Sequence, residues 1–156
     1  MNSTKSDTDA QRQPALSIRQ PWAELILRES KTIELRKWQT DYRGLIWLHA
    51  AKTFDPSAPP LPSGEEPFRG GFVGCAVLAS ILPIDEHRWE NWRHQHCDTG
   101  SFIPGMYGWL FSSVLRFKKP IAARGFPGLF YPEPEDMRQL IEAKKEQCNC
   151  ATESDR

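Results

Sequence analysis

The segment from Lys31 to Arg36 has the sequence Lys-Thr-Ile-Glu-Leu-Arg, which places two cations and a carboxylate within six residues. Arginine offers a planar fork that suits a phosphate group, and lysine offers a compact positive charge. Trp38 follows closely, and an aromatic ring beside cations can stack on a nucleic-acid base. The spacing therefore predicts a phosphate clamp around Lys31, Glu34 and Arg36. The same spacing also fits a half-exposed strand whose charges simply face water.

Glu34 is the acid within this segment, and three roles are open to it. Its carboxylate could form an ion pair that holds Arg36 in place, accept hydrogen bonds from the edge of a base, or act as a general base. Strand periodicity over residues 31–36 places Lys31 on one face and Glu34 with Arg36 on the other.

Further candidates lie at the predicted ends of neighbouring elements. Arg19 and Gln20 follow the first predicted strand, and Lys52 ends another. Trp38 could stack on a base or pack at the edge of the domain. The full set of candidate ligand-binding residues is Arg19, Gln20, Lys31, Glu34, Arg36, Trp38, Arg43, Lys52 and Tyr107.

The cluster of His87, His94, His96 and Cys97 raises the question of a zinc site. Its spacing matches no common zinc pattern, and His94, His96 and Cys97 cannot all point the same way from a regular helix. We therefore expect a solvated helix end here, and we predict neither a metal nor an organic cofactor. The cysteines form no disulfide framework and are expected to be thiols in a reducing compartment.

Charge is balanced over the whole chain but not along it. The 156 residues include 20 basic and 20 acidic side chains, so the formal net charge is zero. Residues 16–52 carry seven basic and four acidic side chains, whereas residues 133–156 carry four basic and seven acidic ones. A net charge of zero excludes the broad positive surface of a histone-like binder. The excess of basic side chains in residues 16–52 is still compatible with a small cleft that holds one or a few nucleotides.

Length and composition, with 39% hydrophobic and 26% charged residues, predict one globular domain. Residues 1–14 and 147–156 are polar and are expected to be disordered tails around a domain at 15–146. No apolar run reaches the roughly 18 residues of a membrane helix, and the N-terminus lacks the apolar segment of a signal peptide. We therefore expect a cytoplasmic location and no membrane partner.

The order of apolar and polar residues predicts an α+β domain. A helix is expected to begin at Gln20-Pro21 and to bury Trp22, and Asp85 is expected to cap a second helix. Residues 55–71, which include five prolines and three glycines, predict an irregular surface loop. Strands are predicted at 16–18, 31–36, 45–50, 72–82, 107–117 and 121–130, and a last helix at 135–146. This pattern of five or six strands and three helices is typical of a small mixed barrel.

Several of these segments together resemble the ASCH family. The matching residues are Leu-Ser-Ile-Arg-Gln-Pro-Trp-Ala at 16–23, the K-x-x-E-x-R signature from Lys31 to Arg36, and Tyr-Arg-Gly-Leu-Ile-Trp-Leu-His-Ala-Ala-Lys at 42–52. A closing match runs from Tyr107-Gly108-Trp109 through Pro120-Ile121 to the segment 125–130. The resemblance implies a fold like the PUA domain, which is a small, partly open β-barrel with flanking helices and a cleft beside the signature.

Two residues differ from the residues that the ASCH family, or one branch of it, has at the matching positions. Glu29 stands where the family has glycine, which makes a positive φ angle costlier. Glu34 stands where the branch that hydrolyses the acetyl amide of N4-acetylcytidine has a threonine, so that activity is not transferred to this chain.

Three functions follow from the residues and the resemblance. The leading one is the binding of RNA, or of a modified nucleotide or nucleobase, in a cleft formed by the K-x-x-E-x-R signature. The alternative is a hydrolase acting on RNA or on an acylated nucleoside, with Lys31 and Glu34 as catalytic residues. The third is a protein-interaction module that binds a protein partner through the loop at 55–71 or through the acidic last helix.

Overall fold

One six-stranded sheet, curled into a half-barrel and flanked by four helices, accounts for residues 12–153, the part of the chain that this computed structural model describes. The α+β class and the small mixed barrel are thus confirmed. Residues 1–11 and 154–156, which belong to the predicted tails, lie outside the described residues.

Short helices and long strands alternate along the chain. The strands are β1 (Ala15–Gln20), β2 (Ile33–Arg36), β3 (Gly44–Phe54), β4 (Gly71–Pro83), β5 (Tyr107–Ala122) and β6 (Leu129–Phe130). The helices are α1 (Trp22–Leu27), α2 (Glu86–Asn91), α3 (Arg93–His96) and α4 (Pro134–Glu153), and a 3-10 turn covers Pro62–Gly64. Asp85 caps α2 as predicted, since its carboxylate accepts a hydrogen bond from the backbone N–H of Arg88 at 2.8 Å.

The strand order β2-β5-β4-β3-β1-β6 puts β1 and β2 near opposite edges of the sheet. β1 runs parallel to β3, with Ser17 opposite His49, and the other neighbouring pairs are antiparallel. The curl of the sheet nevertheless brings the two edges together, because the guanidinium of Arg36 on β2 donates a hydrogen bond to the carbonyl of Ser17 on β1 at 2.9 Å. The opening of the half-barrel therefore lies beside the Lys31 to Arg36 segment.

Irregularities in the β4–β5 ladder accompany this curl. The register shifts between Cys75 and Val77, opposite Leu115 and Ser112, and Ser113 has a φ of 50° at this point. An extra residue in one strand bends it and increases its twist, which helps a sheet to close.

Apolar side chains fill both faces of the curled sheet. One buried cluster lies inside the half-barrel beneath α1, with Ile18, Ile26, Leu48, Leu78 and Trp109 among its members. A second cluster lies on the outer face, where Trp47, Phe72, Phe117 and Leu140 pack beneath α4. Burial on both faces explains why β3 and β4 are nearly continuous apolar runs.

Two predicted boundaries are wrong. The strand predicted at 107–117 continues through Pro120 and ends at Ala122, so it includes the start of the second predicted strand, 121–130. The strand can contain Pro120 because this residue lies where the register with β4 shifts and needs no ladder hydrogen bond. Only Leu129–Phe130 forms the following strand. The last helix ends at Glu153 and not at Glu146, since no glycine or proline interrupts it, so residues 147–153 of the predicted tail are helical.

The turn between α1 and β2 keeps a left-handed residue at Glu29, whose φ is 59°. Backbone N–H groups of Ser30 and Lys31 both reach back to the carbonyl of Leu25, at 3.0 and 3.1 Å, and close the end of the helix. The turn thus has the conformation that glycine adopts without cost, although glutamate occupies the position.

Replacement of Glu29 by glycine should therefore stabilise the protein. A non-glycine residue in the left-handed region costs about 1–2 kcal/mol, so Glu29→Gly should raise the free energy of unfolding by about 1 kcal/mol after the added flexibility of the unfolded chain is subtracted. Urea unfolding would measure the change, with Glu29→Ala as the control for loss of the side chain. A glycine variant less stable than the alanine variant would contradict this interpretation of the turn.

Candidate functional site

A cleft of about 420 Å³ opens at the gap between β1 and β2. The end of β1, the start of α1, strand β2 and the loop before β5 form its walls. The residues that line it are Ser17, Ile18, Arg19, Trp22, Lys31, Glu34, Leu35, Arg36, Lys37, Trp38, Asp55, His96, Asp98, Ile103 and Met106. The K-x-x-E-x-R segment therefore lies at the cleft.

Lys31 is the buried cation of the cleft, and its ammonium group is fully engaged. Its Nζ donates a hydrogen bond to the carbonyl of His96 at 2.7 Å, lies 3.5 Å from Glu34 Oε1, and sits 4.7 Å from the centre of the Trp22 ring. Only 2% of its side chain is exposed. Burial lowers the pKa of Lys31, and the nearby Glu34 carboxylate opposes that shift.

Glu34 links the two cations of the signature. Its Oε1 faces Lys31, and its Oε2 accepts a hydrogen bond from Arg36 Nη2 at 3.3 Å. The prediction that Lys31 and Glu34 lie on opposite faces is wrong, because β2 begins at Ile33 and Lys31 precedes it outside the strand geometry. Of the three roles considered for Glu34, the ion pair is the arrangement present, and ligand contact and catalysis stay predictions.

Arg36 is the signature residue that reaches the surface of the cleft. Its side chain is 24% exposed, whereas that of Lys31 is 2% exposed. Bonds to the carbonyl of Ser17 and the carboxylate of Glu34 fix the guanidinium in place. The guanidinium of Arg36 is therefore held at the surface of the cleft.

Trp22 and Asp55 form the wall opposite β2. The indole N–H of Trp22 donates to Asp55 Oδ2 at 2.8 Å, and Arg19 approaches the same carboxylate at 3.7 Å. Hydrogen bonds from Ser57 and Trp22 lower the pKa of Asp55. Trp22 packs on the core, as predicted, but also lines the cleft. Asp55 begins the proline-rich loop, and its sequence position alone gives no sign of this contact.

Trp38 packs at the edge of the domain, which is one of the two roles considered for it, and stacking on a base stays a prediction. Its ring packs edge-on against Trp109 with 4.7 Å between the ring centres, and its carbonyl accepts the indole N–H of Trp109 at 3.1 Å. The side chain remains half-buried and lines the cleft. The contact with Trp109 thus holds an aromatic ring in the wall of the cleft.

Four predicted ligand-binding residues lie away from the cleft. Gln20 is fully buried, where its Oε1 accepts the N–H of Glu24 and its Nε2 donates to Phe68. Arg43 donates to backbone carbonyls of its own turn, and Tyr107 pairs with Arg36 along β5 and packs on the core. Lys52 lies at a different cavity, described below. The structure therefore brings together Arg19, Lys31, Glu34, Arg36 and Trp38.

His96 forms part of the buried wall behind Lys31, so the expected solvated helix end is wrong at this residue. Its Nδ1 accepts the N–H of Asp98 at 3.0 Å, and its Nε2 donates to the carbonyl of Trp89 at 2.8 Å. These two bonds require the neutral ring. Burial lowers the pKa of His96, and the bond to Trp89 opposes that shift. The carbonyl of the same residue holds Lys31.

A second cavity of about 680 Å³ adjoins the cleft, and Ser17 and Arg36 line both. Ser17 Oγ lies 2.9 Å from His49 Nδ1, and His49 Nε2 donates to the carbonyl of Ala123 at 2.8 Å. His49 is buried, as predicted. Burial also lowers the pKa of His49. The remaining residues of this second cavity are Ala51, Lys52, Gly70, Ala122, Ala123, Arg124, Gly125, Phe126, Pro127 and Gly128.

Within residues 12–153, no three His, Cys, Asp or Glu side chains converge as metal ligands would. No helix in the same range is both long and apolar enough to span a membrane.

The neutral, buried ring of His96 predicts how the free energy of unfolding depends on pH. Its folded pKa lies below the ordinary value of about 6.5, so the unfolded chain binds more protons between the two values. The free energy of unfolding should therefore fall as the pH drops below about 6.5, and His96→Gln should make that fall smaller. Urea unfolding at several pH values measures it, with the exposed His94→Gln as control. Equal slopes in both variants and the parent protein would contradict the neutral, buried ring.

Comparison with solved structures identifies the fold. The ASCH protein of Zymomonas mobilis superposes with a TM-score of 0.62 at 15% sequence identity, covering 85% of this chain and 95% of that one. A point mutant of the same protein gives 0.62 at 15% identity, covering 83% and 96%. The half-barrel is therefore the PUA-like fold of ASCH domains, as the resemblance implies.

Sequence comparisons give the same result. Human Activating signal cointegrator 1 is 39% identical over 82 residues, which are 43% of this chain and 14% of the human protein. Its mouse counterpart is 49% identical over 35 residues, or 22% of this chain and 6% of the mouse protein. The chain thus spans a small part of these relatives. The model of the ASCH domain family matches residues 16–148, and this chain therefore belongs to the ASCH domain family.

Proposed function

We propose that this protein binds single-stranded RNA by holding one unpaired base, normal or modified, in the cleft. Membership of the ASCH family supports an RNA-binding type of domain. The observation that carries the proposal is the composition of the cleft, whose lining includes both the aromatic ring of Trp38 and the fixed guanidinium of Arg36. Sequence-specific RNA recognition generally uses unpaired bases that stack on aromatic or guanidinium planes.

The size and charge of the cleft support a single nucleotide as the ligand. Its volume of about 420 Å³ falls in the range of small-molecule sites. Four cations, namely Arg19, Lys31, Arg36 and Lys37, line it together with three acids, namely Glu34, Asp55 and Asp98. A base edge carries both donors and acceptors, and this mixture of groups can pair with both.

Within this proposal the signature residues have different tasks. Lys31 positions Glu34 and stays buried, because its three donor directions are already taken by His96, Glu34 and the Trp22 ring. Arg36, which is more exposed, contacts the ligand. Trp38 stacks on the base.

Removal of the Trp38 ring should weaken RNA binding. Stacking of one base contributes about 1–3 kcal/mol, so Trp38→Ala should raise the dissociation constant roughly tenfold or more, and Trp38→Phe should restore part of the loss. Fluorescence anisotropy with a labelled eight-nucleotide RNA of mixed sequence at low salt measures this. Trp92→Ala is the matched control, since Trp92 is half-buried and lines neither cavity.

Circular dichroism of each variant separates loss of binding from loss of folding, because Trp38 also packs on Trp109. The proposal is wrong if the parent protein binds none of this RNA, or if folded Trp38→Ala binds as tightly as Trp92→Ala.

A hydrolytic reaction on RNA or on an acylated nucleoside is the alternative function. The lowered pKa of Lys31 beside Glu34 in a cleft supports it, because perturbed titratable groups are common in active sites. Catalysis by Lys31 would require its present contacts to break. We therefore expect labelled RNA and a panel of acylated nucleosides to stay intact with the purified protein. Turnover that Glu34→Gln abolishes would establish the enzyme instead.

A further inference from the structure

The second cavity differs from the cleft in its charge. Three cations line it, namely Arg36, Lys52 and Arg124, and none of the described residues that line it is acidic. The cleft, in contrast, contains three acids. Two of them form ion pairs with cations of the cleft, since Asp55 pairs with Arg19 and Glu34 pairs with Lys31 and Arg36. The second cavity is therefore a concentrated positive site next to a nearly balanced one.

Two of these cations are free to meet a ligand. Lys52 and Arg124 are exposed, and neither forms an ion pair with any residue in the described range 12–153. Arg124 lies over the ring of Phe126, with 5.1 Å between the guanidinium carbon and the ring centre. A phosphate can form charge-assisted hydrogen bonds with a cation that has no carboxylate neighbour.

The walls of the second cavity are rigidly built. A Cβ atom added at Gly125 would lie 2.5 Å from His49 Cε1, so the loop between β5 and β6 rests directly on the buried histidine. A Cβ at Gly70 would lie 3.2 Å from Lys52 Cγ, so the lysine stem lies along the glycine backbone. The hydrogen bonds of His49 to Ser17 and Ala123 fix the floor between these two walls.

Phe126 offers an aromatic surface at the rim. It is 42% exposed, which is unusual for phenylalanine, and its inner edge packs against Phe130 with 5.5 Å between ring centres. An exposed ring held beside a cationic cavity is the arrangement on which successive bases of a single strand stack.

We infer that the second cavity binds a phosphate of the RNA strand whose base occupies the cleft, and that Phe126 stacks on the neighbouring base. This inference rests on the proposed function. Arg36 and Ser17 line both sites, so the two sites adjoin, and a strand that passes over the Arg36–Ser17 bridge reaches both. The cleft then supplies contacts to one base, and Lys52 with Arg124 supplies contacts to the backbone.

The salt dependence of RNA binding tests whether Lys52 and Arg124 contact the RNA backbone. Each neutralised phosphate contributes about 0.7 to the magnitude of the slope of log K against log salt for single strands, so the double variant Lys52→Ala, Arg124→Ala, which removes one phosphate site, should reduce that magnitude by about 0.7. Its affinity at low salt should fall at least about tenfold, since each lost bond is to a charged group. The probe is the labelled eight-nucleotide RNA. The control is Lys119→Ala, Lys145→Ala, which removes the same charge from exposed positions outside both cavities.

The outcomes separate the inference from the function on which it rests. If the double variant keeps the slope and affinity of the control while Trp38→Ala loses binding, the cleft binds RNA and the second cavity does not. If the double variant loses binding while Trp38→Ala does not, the strand binds the second cavity and the proposed role of the cleft is wrong. Failure of the parent protein to bind the RNA overturns both.

Competition distinguishes an RNA strand from a free nucleotide. Unlabelled uridine, uridine 5′-monophosphate and an eight-nucleotide RNA are titrated against the labelled probe. We expect the RNA to compete far more strongly than the monophosphate, because Phe126 contacts a second base. If the monophosphate competes as well as the RNA, or Phe126→Ala leaves RNA affinity unchanged, the cavity takes a single nucleotide and the strand assignment is wrong.

Discussion

The carboxylate of Glu34 is the group on which the arrangement of the cleft depends. It is 93% buried and lies between the ammonium of Lys31 and the guanidinium of Arg36. Removing one partner from a buried ion pair leaves an uncompensated charge, which is strongly destabilising. Each member is held by a further bond, since Lys31 binds the carbonyl of His96 and Arg36 binds the carbonyl of Ser17. One buried charge thus connects three parts of the chain at the opening of the half-barrel, namely β1, the segment 31–36 and α3.

This arrangement also explains how an open sheet keeps a cleft at its opening. β1 and β2 are separated by three strands in the sheet order, and no backbone ladder joins them. The Arg36 side chain bridges the gap and leaves room on either side of itself, for the cleft on one side and the second cavity on the other. Side-chain bridging therefore replaces strand pairing at the opening of the half-barrel.

The sequence predicts the fold class well, because strand periodicity and turn residues are local signals. It misplaces the faces of Lys31 and Glu34, since alternation applies only within a strand and β2 begins at Ile33. It also misses Asp55, which reaches the cleft through a long loop, and the burial of His96, which depends on packing against Trp89. Contacts between residues distant in sequence leave no local pattern from which they could be predicted.

Nuclear magnetic resonance of the indole N–H groups shows whether RNA occupies the cleft, because six tryptophans are distributed over the molecule. On addition of single-stranded RNA, the account predicts the largest chemical-shift changes at Trp22 and Trp38, which line the cleft. The signal of Trp47, which is buried in the cluster beneath α4 and does not line the cleft, should stay in place. Unchanged signals from Trp22 and Trp38 under saturating RNA would contradict the account.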